Sequence, residues 1–289
     1  MHDDYLLSFL LGIVEGLTEF LPVSSTAHLR LCEEFLHIDL GDGFWKMYSI
    51  VIQLGAVLCL PLFFRSRIAK FLSTFPKGER GDRNFLTHPL SLTLVAFVVT
   101  GVPGYLLHKR IADNLEKPVV FGLSLLIGGV IMWAVDALCR RPKITHMEEM
   151  HLGHAIWIGA VQILSAVFPG TSRSMSTIAA GQLSGMSRES ALEFSFFLSI
   201  PTMLVATGYE LLKTLFSHHP GQEAAASKLA PVVMNPHEWV VLAIGFVTSF
   251  VVAFAVVAWF MNWVKRHGFV PFAIYRIVLG IGVLALCFR

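Results

Sequence analysis

Apolar positions in this chain come in long unbroken runs, without the one-face or alternating patterns of a water-soluble fold. Six runs, at about residues 43–64, 90–107, 118–138, 188–212, 237–263 and 269–288, approach or exceed the roughly 20 residues a helix needs to cross hydrocarbon. Strands with free edges cannot satisfy their backbone in lipid, so all six are read as helices. The pattern predicts an all-α integral membrane protein with six full transmembrane helices.

Two further apolar regions, 5–31 and 154–182, are each interrupted midway by proline, glycine and clustered hydroxyl residues. Irregular backbone at membrane depth is tolerated only where protein or a watery cavity satisfies it. Each region is therefore read as a re-entrant helix–loop–helix pair that enters and leaves on one side. The two also match each other. Glu15-x-x-x-Glu19-x-x-Pro22-x-Ser24-Ser25-Thr26 aligns with Gln162-x-x-x-Ala166-x-x-Pro169-x-Thr171-Ser172-Arg173 at a constant offset of 147. The chain reads as a tandem duplication, with residues 1–138 as the first repeat and 154–289 as the second. Each repeat holds one re-entrant pair and three spans, and an odd number of spans inverts the second half in the membrane. Such inverted-topology repeats bring their broken segments together near the bilayer midplane.

Composition agrees with this solvent. Of the 289 residues, 55% are hydrophobic and 15% charged, against roughly 25% charged in soluble domains. The formal net charge of +2 leaves no basic footprint for nucleic acid, which is excluded as a partner. Positive charge also sets an orientation. The loops at 65–89, 139–153 and 264–268 carry eleven Lys and Arg, against seven on the alternate side. That bias puts both termini and the stretch Ser217–Pro236 outside, with the first broken region open to the exterior. Cys32, Cys59, Cys139 and Cys287 have no paired spacing and signal neither zinc nor a disulfide framework. Asp3 and Asp4 stand where a signal peptide would be basic, so the first segment is expected to remain.

The candidate chemistry lies in the two breaks. Glu15 and Glu19, four apart, share a helical face inside an apolar segment. Ionised carboxylates in lipid are costly, so such a pair is expected to face a cavity. It could hold a divalent cation, or one member could act as a general acid. Ser24, Ser25, Thr26 and His28 follow within one short break, a hydroxyl nucleophile beside a base, although Ser24 or Ser25 could simply cap the next helix. In the second break Arg173 sits among Thr171, Ser172, Ser174 and Thr177 at a helix start. There a guanidinium fork and free backbone N–H groups suit phosphate. Arg276, a second intramembrane cation, is a further candidate phosphate ligand. Gln53 and Glu193 would either support the site or bond between helices. His151 with His154, and His218 with His219, read as interfacial or loop pairs.

Taken together, Glu15-Gly-Leu-Thr-Glu-Phe-Leu-Pro-Val-Ser-Ser-Thr-Ala-His28 and Pro169-Gly-Thr-Ser-Arg-Ser-Met-Ser-Thr177 resemble the two signature motifs of the undecaprenyl-diphosphate phosphatases of the bacitracin-resistance type. Gln53-Leu-Gly, Glu193-Phe-Ser-Phe and Pro271-Phe-Ala-Ile-Tyr-Arg276 extend the resemblance over essentially the whole chain. Ala27, where the family commonly has glycine, and an alanine-rich insertion before Pro236 are the departures.

The resemblance implies hydrolysis of undecaprenyl diphosphate to undecaprenyl phosphate and inorganic phosphate on the outer face of the bacterial plasma membrane. It implies recycling of the carrier lipid for peptidoglycan synthesis and resistance to bacitracin, with Mg²⁺ or Ca²⁺ as cofactor. Glu15 and Glu19 would serve the metal, and Ser25, His28, Glu19 and Arg173 the catalysis. Ser24, Thr26, Ser172, Ser174, Thr177 and Arg276 would join Arg173 around the phosphate. The nucleophile stays open among Ser25, His28 and water, as does a homodimer. A lipid-phosphate transporter is the rival class, because broken inverted repeats also build transporters.

Overall fold

The computed structural model describes residues 2–38, 43–79, 81–115, 117–216 and 234–288, and these are almost entirely helical. In chain order the helices are α1 His2–Thr18, α2 Ser25–Phe35, α3 Gly43–Phe63, α4 Arg65–Thr74, α5 Pro89–Leu106 and α6 His108–Leu115. They continue with α7 Pro118–Leu138, α8 Leu152–Val167, α9 Arg173–Leu183, α10 Arg188–Phe216, α11 Pro236–Trp263 and α12 Val270–Cys287. An isolated bridge between Ile144 and Met186 is the only β pairing among the described residues.

Six helices, α3, α5, α7, α10, α11 and α12, are long and apolar enough to cross a membrane, and they fall on the six sequence runs. Proline in the first turn opens α5, α7, α11 and α12, where its missing N–H is no loss. Asn235 caps α11 in a reciprocal box with Glu238. Two short helices lie inside stretches the hydrophobic runs leave as loops. These are α4, with Arg65, Arg67 and Lys70, and α6, with His108, Lys109 and Arg110. Ser217–Pro236, expected as an outer loop, lies mostly outside the described residues.

Each broken region is a helix, an irregular turn and a second helix, as α1–α2 and α8–α9. The main packing partners are α7 with α12, α1 with α11, α3 with α11 and α10, and α5 with α8. Small residues let these backbones approach closely, since lipid offers no hydrophobic drive for helix association. A Cβ on Gly159 of α8 would sit 2.5 Å from the Ala96 carbonyl oxygen of α5. Beside it Thr100 donates to the Gly159 carbonyl at 2.7 Å, and Ser8 of α1 donates to the Val241 carbonyl of α11 at 2.6 Å. At one end of the bundle Asp136 accepts from Arg188 Nε at 2.6 Å and from the Phe269 N–H at 3.0 Å, tying α7 to the starts of α10 and α12.

Gly159→Ala is expected to lose about 1–3 kcal/mol to overpacking although alanine is the better helix former. Gly282→Ala, where a Cβ meets nothing within 4 Å, is expected to be neutral or to gain up to about 1 kcal/mol. Thermal unfolding of the two purified variants in detergent checks the pair. Equal melting temperatures would remove close backbone approach as the basis of the α5–α8 contact.

Candidate active site

α1 stops at Thr18, and the chain turns through residues 19–24 before α2 starts at Ser25. α8 stops at Val167, and the second turn ends as α9 starts at Arg173. Both turns close on a serine in the left-handed region, Ser24 at φ 76° and Ser172 at φ 69°. That conformation costs a non-glycine residue roughly 1–2 kcal/mol. Each serine recovers part of this as an N-cap: Ser24 Oγ accepts from the Ala27 N–H at 3.4 Å, and Ser172 Oγ from the Met175 N–H at 3.3 Å.

The equivalent helix starts are one position further apart than the 147-residue offset that aligns Glu15 with Gln162. Counted from the aligned positions Glu19 and Ala166, the second helix start comes one residue later, after the stretch containing Gly170 at φ 94°. The structural consequence is that Ser25 pairs with Arg173, and not with Ser172. Both are the first residues of their helices.

Glu19 stands between these two helix starts. Its Oε2 accepts from Ser25 Oγ at 2.6 Å and its Oε1 from Arg173 Nη2 at 3.0 Å. Arg173 also donates to Ser199 of α10 through Nη1. Ser174 Oγ reaches the Glu19 carbonyl at 3.4 Å. Glu15 is fully buried one turn before Glu19, and neither of its carboxylate oxygens has a hydrogen-bond partner among the described residues.

A cavity of about 310 Å³ opens between the two turns. Glu19, Ser24, Ser25, Thr26, Ser172 and Arg173 line it, with Gln53 of α3. The N-termini of α2 and α9 carry partial positive charge into this space, together with the Arg173 guanidinium. Hydroxyl donors, a guanidinium and two helix N-termini suit a phosphate group, and the Ser25–Glu19 hydrogen bond supplies a hydroxyl with a proton acceptor already in place.

Other expected site residues stand elsewhere. Arg276 is fully buried and does not line the cavity. Its Nη1 donates to the Pro22 carbonyl at 3.2 Å, and its Nη2 lies 2.9–3.1 Å from the carbonyls of Ser124, Gly170 and Thr171. With both terminal nitrogens on backbone oxygens and its Nε unpartnered among the described residues, it ties the two turns together. His28 bonds the Ser24 carbonyl and the Tyr275 hydroxyl, and Ser25 donates to Glu19. Thr177 is buried against Ser195 at 2.7 Å. Glu193 pairs with Arg67 at 2.9 Å, away from the cavity. His151 and His154 interact at the start of α8, and among the described residues no group of three His, Cys, Asp or Glu is placed to hold a metal. His218 and His219 lie outside the described residues.

Sequence reading missed a polar stripe on α10. Ser199, Thr202, Thr207 and Glu210 recur at spacings of three to five, and the last three line the cavity. Thr100 and Gln162 line it too, joined by a hydrogen bond from Gln162 Nε2 to Thr100 Oγ1 at 3.1 Å. The signal was available: hydroxyls at helical spacing within a span too apolar to need them.

The chain is similar to known proteins over nearly its whole length. A relative from Koribacter versatilis, named undecaprenyl-diphosphatase, is 64% identical over 282 residues and covers 97% of each chain. Proteins of the same name from Bradyrhizobium and Caldanaerobacter subterraneus are 42% and 40% identical, each covering at least 94% of both chains. The family model described as bacitracin resistance protein BacA matches residues 8–282. The chain belongs to the BacA family.

Proposed function

We propose that this protein hydrolyses undecaprenyl diphosphate to undecaprenyl phosphate and inorganic phosphate, with Ser25 as nucleophile and Glu19 as its base. The observation that carries this is the Glu19 carboxylate, with one oxygen on the Ser25 hydroxyl and the other on the Arg173 guanidinium. The relatives' shared name supplies the substrate.

In the first step Ser25 Oγ attacks the terminal phosphorus and its proton passes to Glu19. The bond from that phosphorus to the bridging oxygen breaks, and its electron pair leaves with undecaprenyl phosphate. Glu19 passes that proton to the departing undecaprenyl phosphate. As a base again it takes a proton from the water that attacks the phosphoserine phosphorus, the bond from phosphorus to Ser25 Oγ breaks, Oγ takes the proton back, and inorganic phosphate leaves. Phosphoryl transfer asks mainly for positioning and charge neutralisation. Arg173 and the two helix N-termini supply that around the equatorial oxygens, with Ser24, Thr26 and Ser172 as hydroxyl donors in the same cavity.

The donor set also fits a hard divalent cation such as Mg²⁺ or Ca²⁺. Glu15, with both oxygens unpartnered, and Glu19 are the residues that would hold it, leaving its other positions to water and substrate oxygens. When bound, such an ion adds neutralising charge to the diphosphate.

The membrane placement is part of the same proposal. α1–α2 and α8–α9 are re-entrant pairs, and the halves are inverted repeats facing each other across the cavity. The packing supports this: exchanging the halves turns the α1–α11 contact into the α8–α5 contact, and it maps α7 onto its own partner α12. The charge bias puts the cavity on the outer face of the plasma membrane, where hydrolysis returns carrier lipid to peptidoglycan synthesis and removes the lipid that bacitracin sequesters. The transport reading lacks a use for a serine hydroxyl bonded to a carboxylate.

Phosphate release from a long-chain prenyl diphosphate by purified protein in detergent tests the reaction, since no second compartment exists there. Glu19→Gln is expected to abolish turnover while the unfolding transition survives, with Glu15→Gln milder. Undiminished release by Glu19→Gln would take the carboxylate out of the mechanism.

Arg173→Lys keeps a charge but loses the planar fork. Its kcat at saturating substrate is expected to fall on the order of 10²–10³-fold, as for loss of an oxyanion donor. A loss of only a few-fold would reduce Arg173 to a counter-ion for Glu19.

Single cysteines at Lys109 and Arg141, in a background without the four native cysteines, test orientation. An impermeant thiol reagent on intact cells is expected to label position 109 and spare position 141. Equal labelling of both would sink the inverted arrangement.

A further inference from the structure

Both nitrogens of the His28 ring are engaged. Nδ1 lies 2.7 Å from the Ser24 carbonyl oxygen, and Nε2 lies 2.6 Å from the Tyr275 hydroxyl of α12. A carbonyl oxygen can only accept, so Nδ1 carries the proton and donates. In the neutral ring Nε2 is then the acceptor, and the Tyr275 O–H donates to it. The two rings are nearly parallel, at 11° with centroids 5.6 Å apart. This leaves no free nitrogen to take the Ser25 proton, which is already directed at Glu19.

The second turn shows what the Nδ1 bond does. Four residues after its cap Ser172 stands Ser176, whose Oγ donates to the Ser172 carbonyl at 3.0 Å. Four residues after the cap Ser24 stands His28, donating to the Ser24 carbonyl. Both carbonyls belong to serines held in the left-handed region, immediately before the residues that carry the chemistry. A serine hydroxyl of this kind is no acid–base catalyst, yet it makes the same bond at the same place.

We infer that His28 is a positioning residue. Its Nδ1–H latches the Ser24 carbonyl as Ser176 latches that of Ser172, and Tyr275 holds its ring in the tautomer that makes the bond. The latch fixes the turn from which Ser25 projects, so its function rests on the reading of Ser25 as nucleophile and Glu19 as base. Tyr275 is a positioning residue one step removed, acting on the reaction only through the ring.

Substitutions that keep a donor to the Ser24 carbonyl separate this from acid–base or nucleophilic chemistry. His28→Asn places an amide N–H where Nδ1 stands, and His28→Ser installs the hydroxyl that the second turn uses. Each is expected to keep phosphate release within about tenfold of wild type, whereas His28→Ala, with no donor, falls about 10²-fold because misplacement of a reacting group is costly. Tyr275→Phe is expected to lower kcat about 2- to 10-fold, the worth of one hydrogen bond, with KM unchanged. In the His28→Asn and His28→Ser backgrounds it is expected to change nothing further.

His28→Asn and His28→Ser both as inactive as His28→Ala, with unfolding transitions intact, would overturn the inference and return the imidazole to the chemistry. An equal effect of Tyr275→Phe in every background would detach Tyr275 from His28. Ser25→Ala is the separate control on the underlying reading: activity retained there would sink Ser25 as nucleophile, independently of how the His28 variants behave.

Discussion

The interaction on which the rest depends is the bond set of Arg276. A helix that breaks inside a dry interior leaves carbonyls that water cannot reach, and each unmet polar group there costs several kcal/mol. Arg276 sends its guanidinium into both breaks at once, to Pro22 in the first and to Gly170 and Thr171 in the second, and also to Ser124 of α7. The converging carbonyl dipoles offset the burial of its charge, and its charge offsets the burial of theirs. The surrounding helices are shaped to admit it. Gly128 of α7 is a glycine where a Cβ would run into the guanidinium and into Met175.

With the two turns held together, the geometry of the cavity follows. Each turn ends in a serine cap at positive φ, and the helix that begins there directs its first N–H groups into the space between. Two such helix starts create a positive region within an apolar bundle. Glu19 balances it in the resting protein through Arg173, and the arrival of a diphosphate would compete for the same guanidinium. In the proposed mechanism, that competition would release Glu19 from its cation at the step where it acts as the base.

Much of this was legible in the sequence because the bilayer imposes simple rules. The six spans could be read to within a few residues, since length and apolar content alone define them. The two broken regions announced themselves through Pro22, Pro169 and their hydroxyl clusters. Composition could not say what the polar side chains touch. Arg276 and His28 looked like site residues because intramembrane charge and imidazole are expensive; the Arg276 terminal nitrogens bond backbone carbonyls of the two turns, and the His28 nitrogens bond Ser24 and Tyr275. The hydroxyls of α10 are common enough in transmembrane helices to pass unnoticed, though Thr202 and Thr207 line the cavity. Helices α4 and α6 were hidden because their charged residues mask the apolar signal on which the reading relied.

The likeness of the two broken regions gives the proposed site its logic. Both halves supply a helix, a strained serine cap, a carbonyl latched from four residues on and a second helix starting at the cavity. A symmetric pair of this kind would bind an anion and do nothing more. Chemistry needs the halves to differ, and they differ at few positions. The first residue of the second helix is Ser25 in one half and Arg173 in the other, so one turn presents a hydroxyl and the other a cation. Glu19 has Ala166 as its counterpart, so a single carboxylate serves both. Glu15 has Gln162, an amide of nearly the same shape, which keeps the polar position without a second buried charge. On the proposed reading, the anion-binding frame is thus common to the two halves, and the reactive groups arise where their sequences diverge.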